Sequence, residues 1–400
     1  MPLEYLMQYD SVDEAAEPNA EQETWAGDGV PLLQEPRARH SPPIPRRFEW
    51  KRRDRQGRRR QSLRLRRRAN GNIPSMTITP RGPLSDAVWS MLHEGRAPGS
   101  GAVAVDDPLG DDDFHLALYL AYELHYAGID GIDDRLEWDP ALMAFREALE
   151  LPFELALRDR FARTPTCEPI DEQLRAAIAD AEGASLSRYM AHEATEAQYR
   201  EFLTHRSAYH LREADPHSFA IPRLRGQAKV ALLEIQSDEY GSGNVNWMHS
   251  GLFAGTMSAL DLDPSEGAYI DQLPGVTLAT LNLMSLFGLH RRLRGAIVGH
   301  LAAFEMTSCI PNRRYGDGLR RLGYDDSATR YFDEHVEADA AHGAIAANDL
   351  AGSLVQQDWR LEADVLFGAT ALLGLDGRWA DHLMGAWNQG RSSLLRVDAR

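Results

Sequence analysis

Two imidazoles and a carboxylate, His335, Asp339 and His342, recur at i, i+4 and i+7 in the run HVEADAAH. On a helix turning about 100° per residue, these side chains fall within roughly 60° of one another, on one face. A solvated polar face accounts for a single His–Asp pair, but two histidines flanking an aspartate read better as a metal-binding ridge. Two acidic, His-bearing segments lie upstream: Leu211 to His217 (LREADPH) and Glu234 to His249 (EIQSDEYGSGNVNWMH). Carboxylates and imidazoles without thiolates suit iron or manganese better than structural zinc, which favours Cys in a closed tetrahedron. The donor set therefore points to redox metal chemistry. In one straight helix Glu239 and His249 would stand about 15 Å apart along the axis, too far to share an ion. Gly241 and Gly243 are accordingly expected to break or unwind it.

The segments LREADPHSFAIPRL, EIQSDEYGSGNVNWMH and YFDEHVEADAAH resemble the haem-oxygenase-like di-iron oxidases and oxygenases, the iron-containing redox enzyme family. The resemblance runs over roughly residues 84 to 390 and is strongest from 205 to 345. It implies an all-α, haem-oxygenase-like helical bundle. One core helix would supply Glu213, the next Glu239 and His249, and a third His335, Asp339 and His342. Within the second segment Glu234, Asp238 and Glu239 are all candidates, and the family's spacing to His249 favours Glu239. Six ligands, three of them carboxylates able to bridge, exceed what one catalytic iron with open positions needs. The resemblance thus implies two Fe(II) ions with O₂ as co-substrate, and either amine N-oxygenation, oxidative C–C cleavage or desaturation of a small organic substrate. It leaves open an external electron donor and a homodimer. Two rival classes stand beside it: a haem-binding bundle of the same fold, which six polar donors would crowd, and a non-catalytic bundle.

At 400 residues and 43% hydrophobic content the chain can bury a large core. Its net charge of −17 is unevenly spread. Residues 1 to 45 carry nine acids against two bases, and residues 46 to 68 carry 13 Arg or Lys against two acids. From residue 69 onward the balance is −21. The first 75 residues lack periodic apolar spacing and are expected to form a disordered arm, acidic and then Arg-rich. A basic run of this kind could meet nucleic acid or anionic lipid. Only Lys51 and Lys229 are lysines among 43 basic residues, so a coding bias toward Arg is the preferred explanation. No apolar stretch follows the run to make it a secretory signal. The most apolar segment, 275 to 290, is interrupted by Asn282 and short for a membrane span, so it reads as a buried helix. Cys167 and Cys309 suit a reducing cytoplasm and form no disulfide framework.

Apolar periodicity and breakers predict helices at roughly 84–95, 112–127, 140–162, 170–181, 186–211, 223–240, 246–260, 264–273, 276–288, 291–308, 313–322, 326–347, 350–373 and 376–397. One domain, 76–400, follows the arm, with the helices from 84 to 204 layered on the ligand core of about 205–345. His192-Glu193-Ala194-Thr195-Glu196 begins like a zinc-protease motif, but Glu stands where the second His belongs. Glu123 and His125 read as buried, hydrogen-bonded core groups. Glu305 is either a carboxylate lining the site or a buried partner for an arginine such as Arg223. His300, Tyr240 and Trp247 are candidate pocket walls. The GSG at 241–243 lacks the spacing of a phosphate loop. Because residues 1–75 carry neither helical periodicity nor a ligand, a chain starting at Met76 should keep its helical circular-dichroism signal and melting temperature. A large drop in either would mean that the arm packs on the body.

Overall fold

The computed structural model describes residues 78–96, 103–181 and 185–396, apart from the side chains of Asp339 and Ala340. The arm expected over residues 1–75 and the domain's start at 76 lie outside the described residues. Every regular element among those described is helical, as the scarcity of alternating patterns predicts. The helices are α1 (Pro83–Glu94), α2 (Asp112–Glu123), α3 (Pro140–Phe161), α4 (Ile170–Ala179), α5 (Leu186–His192), α6 (Glu196–His210), α7 (Gly226–Glu239), α8 (His249–Ala259), α9 (Gly275–Leu289), α10 (Arg294–Arg321), α11 (Asp326–Ala344) and α12 (Glu362–Asn388). A π-helical segment, Ile345–Gly352, and the short helix Ser353–Gln357 continue α11. Single helical turns fill several of the connections.

Local capping explains several starts. Asp111 accepts from the Phe114 N–H, and Asp139 accepts from the N–H groups of Ala141 and Leu142 with Pro140 at the first helical position. A capping box divides the helix expected over 186–211: Thr195 Oγ1 accepts from Gln198 N at 3.3 Å, and Gln198 Oε1 accepts from Thr195 N at 2.9 Å. Residues 264–273, expected to be helical, contain turns and only a 3₁₀ turn at Ile270–Gln272.

Two expected breaks do not occur. α10 runs through Pro311, which forfeits one ladder bond beside the exposed Ile310, while the rest of α10 packs on α5, α11 and α12. α12 runs through Gly374, where a Cβ would lie 2.1 Å from the Phe161 ring. This glycine marks a close approach and ends nothing. The break falls instead near Asp358, whose carboxylate accepts from Arg360 N.

α9 is buried on nearly every side, as its composition predicts, and packs against α2, α10 and α12. No helix among the described residues is long and apolar enough to cross a membrane. The N-terminal helices do form a layer: α1 on α2, α2 on α9, α3 and α4 on α12, and α5 on α10. α10 and α12 meet backbone to backbone. A Cβ on Gly299 would fall 1.8 Å from the Val365 carbonyl oxygen, and one on Gly368 would fall 1.9 Å from that of Ala296. This contact sets the position of α10, which carries Glu305.

Gly368→Ala should therefore destabilise the fold by about 1–3 kcal/mol, as overpacking does. Gly385→Ala on the same helix meets nothing within 4 Å and should be neutral or stabilising. Urea midpoints compare the two. Equal losses would discard the close-approach explanation.

Candidate metal centre

Five parts of the chain deliver donor groups to one interior region. α6 ends at His210, and the turn after it carries Glu213. That turn is pinned to α7 by the Gln236 side chain, whose Nε2 donates to the Ala214 carbonyl at 2.8 Å and to Ser218 Oγ at 2.7 Å. Glu239 is the last residue of α7, and His249 is the first of α8. Between them the chain doubles back through three successive left-handed residues, Gly241 (φ 69°), Ser242 (φ 49°) and Gly243 (φ 83°). A Cβ on Gly241 would sit 2.6 Å from Met248 N, so only glycine permits the reversal. Its consequence is that Glu239 Oε2 and His249 Nδ1 lie 2.9 Å apart. α11 contributes His335 and His342, and α10 contributes Glu305.

These groups form two clusters. Glu213, Glu239, His249 and His335 make the first, and Glu239, Glu305 and His342 make the second. Within each, one donor atom per residue lies within 4.8 Å of all the others. Glu239 belongs to both, and all six residues are buried. The ridge read from α11 is thus divided, with His335 facing one cluster and His342 the other.

Burial disfavours the charge of Glu213, but the imidazoles of His210 and His335 outweigh it and hold the carboxyl well below the usual range. Glu305 shows the opposite balance: burial, joined by the nearby Glu239, raises it. Burial likewise opposes a charged His342, yet the adjoining Glu305 pushes it up to about 9. Its Nδ1 lies 3.6 Å from Glu305 Oε2, and its Nε2–H donates to Asp238 at 3.1 Å. His249 is also raised, with Glu239 prevailing over burial.

A metal ion fits this arrangement. Glu239 Oε2 and His249 Nδ1 are both buried and close, but they are not aligned as donor and acceptor and neither has another hydrogen-bond partner. Adjacent ligands of an ion with bonds of about 2.1 Å stand roughly 3 Å apart, which is the observed spacing. Carboxylate with imidazole is also a donor set that iron or manganese accepts. The clusters border a small cavity that Tyr209, His217, Gln236, Leu301 and Phe304 also line. Burial lowers His217 to about 4, so its ring is neutral, and its Nε2 lies 3.1 Å from His300 Nδ1.

Of the expected ligands, Glu213, Glu239, His249, His335 and His342 are brought together, while the Asp339 side chain lies outside the described residues. Glu234 is exposed on α7, which leaves Glu239 as the inward carboxylate. Glu305 joins the site and does not pair with Arg223, whose guanidinium donates to the Gly288 and Leu289 carbonyls. Its signal was present in the sequence, since an acid on the apolar face of HLAAFEMTS must find a partner once buried. Glu123 and His125 are core groups as expected, bonded to Arg212 at 2.6 Å and Glu137 at 3.2 Å. His192, Glu193 and Glu196 are exposed. Trp247 is partly exposed under Arg330, and the Tyr240 hydroxyl donates to Asp215, so neither walls the cavity.

Comparison with known proteins bears on the same region through a family match. Residues 200–377 match a family described as "Iron-containing redox enzyme". A nitrosourea synthase from Streptomyces achromogenes subsp. streptozoticus is 29% identical over 146 residues, which are 36% of this chain. The match spans 31% of that relative's length.

Because Glu239 serves both clusters, Glu239→Ala should abolish divalent-metal binding altogether, whereas Glu234→Ala should leave it intact. Calorimetric titration with Mn(II) measures both. Loss on Glu234→Ala with retention on Glu239→Ala would move the ligand by more than a helical turn.

Proposed function

Since residues 200–377 belong to the iron-containing redox enzymes of haem-oxygenase-like fold, we propose that this chain is a non-haem di-iron, O₂-dependent oxidase or oxygenase acting on a small organic substrate. The observation that carries this reading is the position of Glu239, shared by two buried carboxylate–imidazole clusters. Glu213, His249 and His335 would hold one ferrous ion, Glu305 and His342 the other, and Glu239 would span the two. A pair of ferrous ions held this way supplies electrons to O₂ and oxidising power toward an organic substrate.

The chain's own residues do the remaining work. Tyr209, Leu301 and Phe304 keep bulk water from the centre, which strengthens every electrostatic interaction inside it. The neutral His217 lines the same cavity and pairs with His300. The space is small and suits ions and O₂, so an organic substrate enters with some displacement of the wall. The relative that makes a nitrosourea ranks amine N-oxygenation ahead of C–C cleavage and desaturation, and repeated turnover calls for an external electron donor. The rival haem reading fits poorly, because Glu213, Glu239 and Glu305 place three acids in the interior that a largely apolar porphyrin would fill.

Anaerobic titration with Fe(II) should saturate at two ions per chain, and the loaded protein should consume O₂ in proportion to its iron. Glu305→Ala should bind one ion and lose the O₂ uptake. Saturation at a single ion in the unaltered chain, without O₂ uptake, would refute the di-iron assignment.

A further inference from the structure

Tyr331 lies one helical turn before His335 on α11, and its side chain is fully buried. Its hydroxyl donates to Glu213 at 2.9 Å from each carboxylate oxygen. Its backbone carbonyl accepts from His335 Nδ1–H at 2.8 Å. One residue therefore touches two of the first cluster's donors, which come from different elements. His210 completes the arrangement: its Nδ1 donates to Glu213 Oε1 at 2.8 Å and lies 2.8 Å from the Tyr331 hydroxyl. Phenylalanine would pack equally well against Phe253 and His210, and a buried hydroxyl costs free energy unless bonded. The hydroxyl is thus explained by the carboxylate it meets.

These contacts have a directional result. With Nδ1–H engaged by the Tyr331 carbonyl, the nitrogen that His335 turns toward Glu213 is Nε2. With Oε1 held by His210, Glu213 turns Oε2 toward that nitrogen, at 3.6 Å.

Resting on the di-metal reading above, we propose that Tyr331 and His210 are positioning residues that fix the orientation of the Glu213 carboxylate, Tyr331 by bonding to both oxygens and His210 by engaging Oε1, so that Oε2 is the oxygen presented to an ion. Without them the carboxylate is free to rotate and bind an ion through both oxygens, filling a coordination position otherwise left open.

The test is titration of the full-length, metal-free chain with Co(II), followed by the intensity of the visible d–d bands, which changes with coordination number. Tyr331→Phe should weaken one of the two sites by about 10–100-fold, the usual effect of removing such a partner, and alter the band intensity. The metal-free melting temperature should fall modestly, because the buried Glu213 loses a donor, so affinity and spectrum are read well below it. His210→Leu should behave like Tyr331→Phe, whereas His210→Asn, whose amide N–H can replace Nδ1–H, should restore most of the affinity. Unchanged affinity and spectrum in both Tyr331→Phe and His210→Leu overturn the proposal. If Tyr331→Phe does not fold, the His210 pair decides, and equal affinities for Asn and Leu overturn it. If the unaltered chain binds no Co(II), the di-metal reading itself has failed.

Discussion

Three carboxylates, Glu213, Glu239 and Glu305, sit out of water with donor atoms only a few ångströms apart, and much of the surrounding structure serves to make that tolerable. Two unit charges at 4.8 Å repel by roughly 3 kcal/mol at an effective dielectric of about 20. A fold that is only marginally stable cannot carry several such terms uncompensated. The compensation comes from named groups. Tyr331 and His210 donate to Glu213, and His342 faces Glu305. Glu239 keeps one oxygen without a hydrogen-bond partner beside an equally unpartnered His249 nitrogen. That pair is where a cation would do most to relieve the repulsion.

Convergence of these groups depends on backbone features far more specific than helix formation. The left-handed run at Gly241, Ser242 and Gly243 folds α8 back so that residues ten apart in sequence become neighbours. The Gly299 and Gly368 notches draw α10 against α12, fixing the helix that carries Glu305. The π-helical segment Ile345–Gly352 begins three residues after His342 and packs on α7, which links the helix bearing two histidines to the helix bearing Glu239. Helical irregularities of this kind are common beside functional sites, where they reorient side chains without ending the helix.

A polar interior of this design also bounds the chemistry. Carboxylates and imidazoles with no thiolate suit iron or manganese better than a structural zinc. Beyond the acids and His335, the cavity is lined by aromatic and aliphatic groups together with Gln236, Ser308 and the neutral His217, none of which carries a charge.

The sequence by itself determined the all-helical class, the buried character of α9 and the glycine reversal after Glu239, and its family resemblance pointed to Glu213, Glu239, His249, His335 and His342, which the structure brings together. These were legible because helical period, caps and glycine punctuation act over a few residues, and because donor type depends on side-chain identity alone. It misread Pro311 and Gly374 as helix ends, since whether a breaker breaks depends on what packs against it, and it left Glu305 undecided between two partners. Tertiary structure decided that Glu305 turns to His342 and Glu239, that the α11 ridge is divided between two clusters, and that Tyr331 joins Glu213 to His335. Each of these is a contact between residues far apart in the chain, and such contacts exist only once the helices have been set against one another.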